Sequence, residues 1–257
     1  MEKKKVLVSG CNGAMGRILG SLIEQTDDLK VACGFDLKED FSGPFPIYDS
    51  SSIDSLKDLP DIIIDFSSPV ATDKILKFAE YRNIPIVIAT TDLPESTMRD
   101  IDVFSKHIPI FQSANMSFEV NMLKNVLKEI AMQIPDADVE ITETHHTRKK
   151  DAPSGTAKAF ANAIKDALNE ANKKKESDYT TIYGRTGKRQ KNEIGICAKR
   201  GANIVGTHTV EFFTPFETLE ITHTAHSRDL FADGAINAAR FLLSVNKSGL
   251  YNMDDLM

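Results

Sequence analysis

Near its N-terminus the chain reads Val6-Leu7-Val8-Ser9-Gly10-Cys11-Asn12-Gly13-Ala14-Met15-Gly16-Arg17, and this stretch decides the fold. A short apolar strand runs into a glycine turn, and apolar residues follow at helical spacing (Ile18, Leu19, Leu22, Ile23). Glycines let the backbone approach a pyrophosphate, which the helix N-terminus stabilises. A second strand, residues 30–35, ends at Asp36, which would bond a ribose hydroxyl. The pattern predicts a dinucleotide-binding βαβ unit, with an ordinary βαβ turn as the alternative.

Strands and helices continue to alternate as far as residue 111. We predict strands at 61–66, 84–89 and 108–111, helices at 70–82 and near 95–106, and mostly loop over 38–60. This alternation is typical of an α/β fold with a Rossmann-type doubly wound parallel sheet, which binds ligands at the carboxyl ends of its strands. Several residues there are placed to line the cofactor or, alternatively, to cap helices and form turns: Thr90, Thr91, Ser113, Ala114 and Asn115.

The pattern changes in the second half of the chain. Ser117 begins a predicted helix over 118–133, a strand carries Val139 and Ile141, and a helix spans about 155–171. After a long polar stretch, 172–192, alternating strands occupy 193–198, 204–213 and 218–224, and a last helix spans 229–245. We predict an α+β substrate-binding and oligomerisation domain with a mixed sheet over residues 115–225. The dinucleotide-binding domain would comprise residues 1–114 and 226–257.

A cluster of cationic residues, His145, His146, Arg148, Lys149 and Lys150, lies within the segment 143–156. These charges repel one another and resist desolvation, so an anion placed among them would lower that cost. Ser154 is predicted to cap the next helix, whose N-terminus also favours anions. We therefore expect a small, multiply negative substrate; a solvated basic loop is the alternative.

A dinucleotide turn and an anion-binding cluster together suggest a reductase or dehydrogenase for a carboxylated substrate. Hydride transfer to a C=N or C=C bond leaves negative charge that needs a proton, and Lys149 could supply it. His145 and His146 could orient carboxylates or share the proton transfer. Asp36 favours NAD(H) because its charge repels a 2′-phosphate, whereas Lys38 could admit NADP(H), so both NADH and NADPH stay open.

Composition excludes several classes of protein. The chain has 257 residues, is 41% hydrophobic and carries a net charge of −6, which suits one or two soluble domains and argues against nucleic-acid binding. Its three cysteines, Cys11, Cys33 and Cys197, form no metal-ligand spacing and no disulfide framework. We see no signal peptide and no run of ~18 apolar residues that could span a membrane. A cytoplasmic protein without a metal is expected.

The chain resembles the 4-hydroxy-tetrahydrodipicolinate reductases of bacterial lysine and diaminopimelate synthesis. Within the segment 143–156, the block His-His-x-x-Lys-x-Asp-Ala-Pro-Ser-Gly-Thr (145–156) is highly specific to that family. Further matching stretches run through most of the chain: 10–17, 65–69, 90–91, 114–117, 183–185, 193–195, 200–201, 204–210 and 227–228.

The resemblance implies NADH- or NADPH-dependent reduction of 4-hydroxy-tetrahydrodipicolinate, a small dicarboxylate, to tetrahydrodipicolinate. It implies a homotetramer built through the substrate domain's sheet, with the last helix returning to the dinucleotide domain. Lys149 would donate the proton and His145 would be an acid/base or a substrate binder. His146, Gly155 and Thr156 would hold the carboxylates. The implied cofactor contacts are Gly10, Cys11, Asn12, Gly13, Ala14, Met15, Asp36, Ala89, Thr90, Thr91, Ser113, Ala114, Asn115 and Met116.

The chain departs from the family pattern in three places. The usual Gly-Thr-Thr-Gly reads Ala89-Thr90-Thr91-Asp92, and Leu37 stands where many members carry arginine for the NADP phosphate. Met116 replaces a common phenylalanine, which we expect to be a tolerated packing change.

Other functions are compatible with the same residues. The chain could be another nicotinamide oxidoreductase for a small dicarboxylate, or a nucleotide-sensing regulator without activity. Nucleic-acid binding by the basic stretch 172–191 is a further alternative.

Overall fold

The structure is a computed structural model and describes residues 2–171 and 178–257. Within these residues the chain forms two compact units. One comprises the chain up to Phe118 together with Asp229–Met257, and the other is Glu119–Arg228. The predicted fold class, a parallel α/β sheet plus a separate mixed sheet, is confirmed, whereas the domain limits at residues 115 and 225 stay a prediction.

Strands and helices alternate along most of the first unit, and strands predominate in the second. In chain order the elements are β1 (Lys4–Ser9), α1 (Ala14–Glu24), β2 (Leu29–Phe35), β3 (Ile47–Tyr48), β4 (Ile62–Asp65), α2 (Pro69–Arg82), β5 (Ile86–Ile88), α3 (Glu95–Phe104), β6 (Pro109–Gln112), α4 (Phe118–Gln133), β7 (Asp138–His145), α5 (Gly155–Ala171), β8 (Thr180–Tyr183), β9 (Glu193–Arg200), β10 (Gly206–Phe213), β11 (Thr218–Ala225), α6 (Asp229–Ser244) and β12 (Gly249–Tyr251). Short 3₁₀ turns lie at Ile53–Ser55 and Met253–Leu256.

The first unit is built on a parallel sheet with the strand order β12-β6-β5-β4-β1-β2-β3. Its central strands are apolar on both faces because helices cover both. Val6 and Val8 pack into a core that includes Leu19 of α1 and Ala235 of α6, whereas Leu7 packs into a core on the other face that includes Ile75 of α2. Such two-sided burial explains the unbroken apolar runs in β1 and β4.

Two strands of this sheet were not predicted. β3 lies inside the stretch 38–60 interpreted as mostly loop, and β12 pairs in parallel with β6 at the opposite edge. These strands have only two and three residues, which is too short for a period-two pattern to be detected.

The second unit contains a mixed sheet with the order β11-β10-β7-β9-β8. β7 pairs in parallel with β9, while β10 pairs antiparallel with both β7 and β11. One face is apolar, where Val139, Ile141 and Phe212 pack with Leu127 of α4 and Phe160 of α5. The alternation of buried and less buried residues along β7 and β10 is that of a sheet with one covered face.

β8 was also missed, because it lies inside the long polar stretch 172–192, in which no strand was predicted. Residues 172–177 of that stretch lie outside the described residues. The basic side chains that follow β8 have partners within the unit: Arg185 bonds Glu140 at 2.7 Å and Arg189 bonds Asp138 at 2.9 Å. These internal ion pairs weaken the nucleic-acid interpretation of the same stretch.

The core of the second unit buries a histidine, His208 of β10, against the ring of Phe160. Burial, followed by the nearby charge of His145, lowers the pKa of His208 to about 4. In the folded chain this imidazole is therefore neutral at neutral pH.

Helix α1 passes the glycine turn at very short range. A Cβ on Gly16 would lie 2.1 Å from the carbonyl oxygen of Gly10, which is backbone and cannot give way. Gly20, one turn later on the same helix, has no such neighbour among the described atoms within 4 Å of its Cβ position. Close packing of helix and turn thus explains why residue 16 is glycine, but it does not explain the glycine at residue 20.

The Gly16→Ala substitution is expected to destabilise the protein by about 3 kcal/mol or more, because the clash forces α1 away from the turn. Gly20→Ala is the matched control and should stabilise by about 0.5–1 kcal/mol, since it only removes backbone freedom from the unfolded chain. Urea unfolding monitored by circular dichroism measures both values. Equal effects of the two substitutions would contradict this account of the packing.

The free energy of unfolding is expected to fall on acidification, because between pH ~6.5 and pH ~4 His208 is protonated in the unfolded chain but mostly neutral in the folded protein. Its unfolded pKa is about 6.5 and its folded pKa about 4, so the loss begins below pH ~6.5 and reaches about 3 kcal/mol near pH ~4. Urea unfolding at about pH 7 and about pH 4.5 should show a smaller pH-dependent loss for His208→Asn than for the unmodified protein. His226→Asn, which removes an exposed histidine, is the control and should leave that loss unchanged.

Candidate active site

The glycine turn between β1 and α1 meets the acidic residue that follows β2. Gly10 has a φ of +77°, and a Cβ there would lie 2.7 Å from the carbonyl oxygen of Phe66. The carboxylate of Asp36 accepts hydrogen bonds from the backbone N–H groups of Asn12 and Leu37, each at 2.8 Å. The structure therefore brings Asp36 and the predicted residues Gly10, Cys11, Asn12, Gly13, Ala14 and Met15 together.

A cavity of about 530 Å³ lies beside this turn. Of the predicted cofactor residues it is lined by Gly10, Gly13 and Asp36. The cavity is also lined by Leu37 and by residues with no predicted cofactor contact, which lie at the end of β2, after β3, after β4 and at the start of α2: Phe35, Ser50, Phe66, Ser67, Ser68, Val70, Ala71, Asp73 and Lys74. Leu37 lies at the edge of the cavity and is 86% exposed. The position at which many family members carry arginine is therefore beside the cavity.

Asp65, at the carboxyl end of β4, is a fully buried acid that the sequence analysis left without a role. Its carboxylate accepts hydrogen bonds from the hydroxyls of Thr72 at 2.6 Å, Thr90 at 2.8 Å and Ser67. Thr90 also accepts the backbone N–H of Ser67 at 3.1 Å. Thr90 thus makes the contacts of a turn-forming residue, and its cofactor contact stays a prediction.

The other predicted cofactor residues lie at the ends of β5 and β6. Ala89 donates its backbone N–H to the carbonyl of Asp65 at 2.9 Å, and the hydroxyl of Thr91 lies 3.2 Å from Asp92. Asp92 has a φ of +57°, the left-handed region that favours glycine, which explains why the family pattern has glycine there. Aspartate is one of the few other residues that tolerate this conformation.

The segment 113–116 is held by its own polar groups and by α6. Ser113 donates its hydroxyl to the carbonyl of Asn115 at 2.8 Å, and Ala114 lies between them. Met116 is buried in the core, and a Cβ on Gly234 of α6 would lie 1.7 Å from its carbonyl oxygen. The close approach of α6 to Met116 therefore holds this segment in place after the end of β6.

In the second unit, the site is organised around Glu143 of β7, which is fully buried. Its carboxylate binds Nδ1 of His145, both terminal nitrogens of Arg200 at 2.9 and 3.0 Å, and the backbone N–H of Ser154 at 3.1 Å. Burial would raise the pKa of Glu143, but the hydrogen bonds from Arg200, His145 and Ser154 outweigh it and lower that pKa below its ordinary value. Glu143 is therefore an ionised carboxylate inside the unit.

Helix α5 begins where the sequence analysis predicted. The hydroxyl of Ser154 accepts the backbone N–H of Ala157 at 3.2 Å, which confirms Ser154 as the N-cap, and its Oγ lies 3.1 Å from Nε2 of His208. Gly155 and Thr156 form the first turn of the helix. A Cβ on Gly155 would meet no described atom within 4 Å, so this turn has space beside it.

The cationic cluster follows His145 as the chain leaves β7. His146 donates its backbone N–H to the carbonyl of Ile204 at 2.7 Å, and its Nδ1 is buried without a partner in the described part of the chain. Burial, followed by the nearby Arg148 and Arg228, lowers the pKa of His146. Its ring therefore tends towards the neutral form, in which one nitrogen accepts a hydrogen bond.

Two cationic side chains of the cluster have partners that the sequence did not indicate. Lys149 forms an ion pair with Asp151 at 2.8 Å, and Arg148 donates to the side-chain oxygen of Asn203 at 2.8 Å. Asp151, which lies within the same segment, therefore already offsets part of this positive charge, and an anionic ligand among the remaining cations stays a prediction. Glu143 was missed likewise, although it opens the segment 143–156 and alternates onto the same face of β7 as His145.

Among residues 2–171 and 178–257, no group of three or more His, Cys, Asp or Glu side chains is arranged to hold a metal ion. Within the same ranges, none of the helices combines the length and the apolar character needed to cross a membrane.

Two family profiles match the chain in succession. The profile described as "Dihydrodipicolinate reductase, N-terminus" matches residues 4–116, and the profile described as "Dihydrodipicolinate reductase, C-terminus" matches residues 119–257.

Similar proteins extend this match over nearly the full length. A protein of Caldanaerobacter subterraneus subsp. tengcongensis named 4-hydroxy-tetrahydrodipicolinate reductase is 44% identical, with 98% of each chain covered. A protein of the same name from Clostridium novyi is 41% identical, again with 98% of each chain covered.

A solved structure of dipicolinate-bound dihydrodipicolinate reductase from Paenisporosarcina sp. TG-14 has the same fold, with a TM-score of 0.80, 18% identity and 100% of both chains covered. Because the two profiles and these relatives span almost the whole sequence, the chain belongs to the dihydrodipicolinate reductase family.

Proposed function

We propose that this protein reduces 4-hydroxy-tetrahydrodipicolinate to tetrahydrodipicolinate with NADH or NADPH. The observation that carries the proposal is the arrangement around one buried carboxylate. Glu143 contacts His145 and the N-cap of α5, and its partner Arg200 also donates to the carbonyl of Asp151, in the segment that carries His146 and Lys149. The reaction takes up a hydride and a proton, and the hydroxyl group of the substrate leaves as water. It belongs to lysine and diaminopimelate synthesis.

The residues present fit a dinucleotide. Side chains at Gly10 and Gly16 would clash with neighbouring backbone, so glycine at both positions permits the tight turn that lets a pyrophosphate approach the start of α1, where backbone N–H groups favour anions. Asp36 lies where a ribose hydroxyl could replace one of its backbone partners. When bound, the nicotinamide supplies the hydride. We propose that Gly10–Met15 and Asp36 hold this cofactor, with Ala89–Thr91 and Ser113–Met116 beside it.

The substrate would be held by His146 of the cationic cluster and by the first turn of α5. The N–H groups at a helix start have no partners within the helix and carry a partial positive charge, so they suit a carboxylate. Gly155 leaves room for the ligand to approach them. We assign the carboxylates to His146, Gly155 and Thr156, and an acid/base or binding role to His145.

Lys149 would donate the proton. Its ammonium group has three N–H donors, and Asp151 at 2.8 Å orients the group while leaving other donors available. Burial would raise the pKa of Asp151, but its hydrogen bond and charge interaction with Lys149 lower it, so Asp151 stays ionised and cannot itself be the acid. Lys149 is therefore the better candidate for the acid in this segment.

The homotetramer and the cytoplasmic location rest on family membership. Light scattering on the purified protein measures the oligomeric state directly. A monomer at micromolar concentration would overturn the homotetramer and leave the proposed reaction intact.

Lys149→Met is expected to lower kcat by about 100-fold or more, because general-acid catalysis typically contributes 10²–10⁴-fold. Affinity for NADH, measured by fluorescence titration, should not change. Lys150→Met is the matched control, since it removes an exposed neighbouring charge and should change kcat by less than about threefold. Turnover of Lys149→Met at the rate of the unmodified protein would refute the assignment of the proton donor.

Leu37→Arg is expected to lower KM for NADPH by about tenfold, because a guanidinium at the cavity edge can pair with the 2′-phosphate. KM for NADH should stay within about twofold. Leu37→Gln, which loses the same leucine without adding a charge, is the control and should change neither value. Steady-state kinetics with both cofactors measures the ratio; an equal effect of arginine and glutamine would show that Leu37 does not face the phosphate.

A further inference from the structure

Glu143 has no assigned part in binding or catalysis, yet it contacts both elements that carry those functions. We propose that Glu143 is a positioning residue that holds His145 with its proton on Nδ1 and holds the start of α5 in place for the substrate's carboxylates. The second half of this statement rests on the proposed function. The first half concerns the free protein and does not depend on turnover.

The position of the proton follows from counting hydrogen bonds at the carboxylate. An ionised carboxylate has about four lone-pair sites. Three donors occupy three of them: Nη1 and Nη2 of Arg200 and the backbone N–H of Ser154. These donors hold Glu143 in its ionised form, which can only accept hydrogen bonds, so Nδ1 of His145 must be the donor in its contact with the carboxylate.

A proton on Nδ1 leaves Nε2 of His145 as the nitrogen that can act on a ligand. Space next to Nε2 is preserved by Gly206 of β10, because a Cβ there would lie 3.0 Å from Nε2. Two backbone hydrogen bonds hold the end of β7. The N–H of Gly201 donates to the carbonyl of His145 at 2.9 Å, and the N–H of His146 donates to the carbonyl of Ile204 at 2.7 Å. The ring is therefore fixed by its backbone and by Glu143 together.

Other titratable or charged groups also surround this ring. Glu143 lies on the same strand, Arg200 comes from β9, His208 from β10 has its ring centroid 5.1 Å away, and His146 and Lys149 belong to the following segment. Among these described neighbours, the contact from Nδ1 to a hydrogen-bond acceptor is the one made by Glu143. The tautomer therefore depends on Glu143 rather than on the cations.

The same carboxylate also fixes the anion-binding end of α5. Ser154, its N-cap, donates its backbone N–H to Glu143, and Arg200 donates to the carbonyl of Asp151 at 2.6 Å. The Glu143–Arg200 pair thus ties the segment before α5 to β7 and β9. Loss of the carboxylate would loosen the helix start and change the tautomer of His145 in a single step.

The test begins with nitrogen chemical shifts of the unmodified protein labelled with ¹⁵N-histidine. The His145 signals are assigned by their loss in His145→Asn. At a pH about two units above the ordinary imidazole value, we expect Nδ1 to carry the proton and Nε2 to be unprotonated. A proton on Nε2 would overturn the proposal, and this result would not bear on the proposed reaction.

The second measurement uses Glu143→Gln, which has the same shape but a single acceptor oxygen with about two lone-pair sites for four donors. We expect a mixture of His145 tautomers, a kcat about 100-fold lower and a dissociation constant for pyridine-2,6-dicarboxylate about tenfold higher. Unchanged tautomer and unchanged affinity would overturn the proposal.

Glu140→Gln is the matched control, because Glu140 lies on the same strand and is also paired with arginines but does not contact His145. It should leave the tautomer and the dicarboxylate affinity unchanged.

Should Glu143→Gln not fold, Gly206→Ala provides a separate test. It should keep the proton on Nδ1 while weakening dicarboxylate binding by about tenfold, because the added methyl group occupies the space next to Nε2. Binding of Gly206→Ala at the affinity of the unmodified protein would show that Nε2 does not face the ligand.

Discussion

A carboxylate that has no contact with water must find all of its hydrogen-bond partners inside the protein, and each unit of this chain contains one. Asp65 closes β4 in the first unit and Glu143 lies near the end of β7 in the second. A buried charge without partners costs several kcal/mol, so the surrounding segments must adopt the positions that supply donors. In both units these segments are the loops and helix starts that follow the sheet strands, where we propose that the functional residues lie.

The two carboxylates are satisfied in different ways. Asp65 takes hydroxyl groups from Ser67, Thr72 and Thr90, all neutral donors that connect β4 to α2 and to the end of β5. Glu143 takes a guanidinium, an imidazole and a backbone N–H. These neutral donors bring no positive charge to the end of β4. The guanidinium of Arg200 instead neutralises Glu143, so the buried carboxylate does not cancel the positive charge of the segment 145–150, which we propose receives an anionic ligand.

Most of the fold could be predicted because long strands and helices leave a clear period in the sequence. The bounds of α4 and α5 agree with the predicted ranges to the residue, and Ser154 caps α5 as expected. β3, β8 and β12 were missed because they are short and lack the runs of three isoleucine or valine residues that mark the equally short β4 and β5. The polar networks were harder, since the partners of Glu143 come from β9 and from the start of α5, which are brought together only by the sheet register. Nothing local in the sequence indicates that Arg200 reaches back to Glu143, whereas the resemblance to a known family did identify the segment in which Glu143 lies.

The first unit is assembled from both ends of the chain, and this affects its synthesis on the ribosome. β12 pairs with β6, and α6 packs on the same core as α1, so this sheet cannot be completed until the last residues have emerged. The second unit is one continuous stretch, Glu119–Arg228. Domains generally fold as units and in order of synthesis. The inserted unit therefore folds first, and the nascent N-terminal strands, with their apolar residues on both faces, wait for the C-terminal helix as the segment most exposed to chaperones and to aggregation.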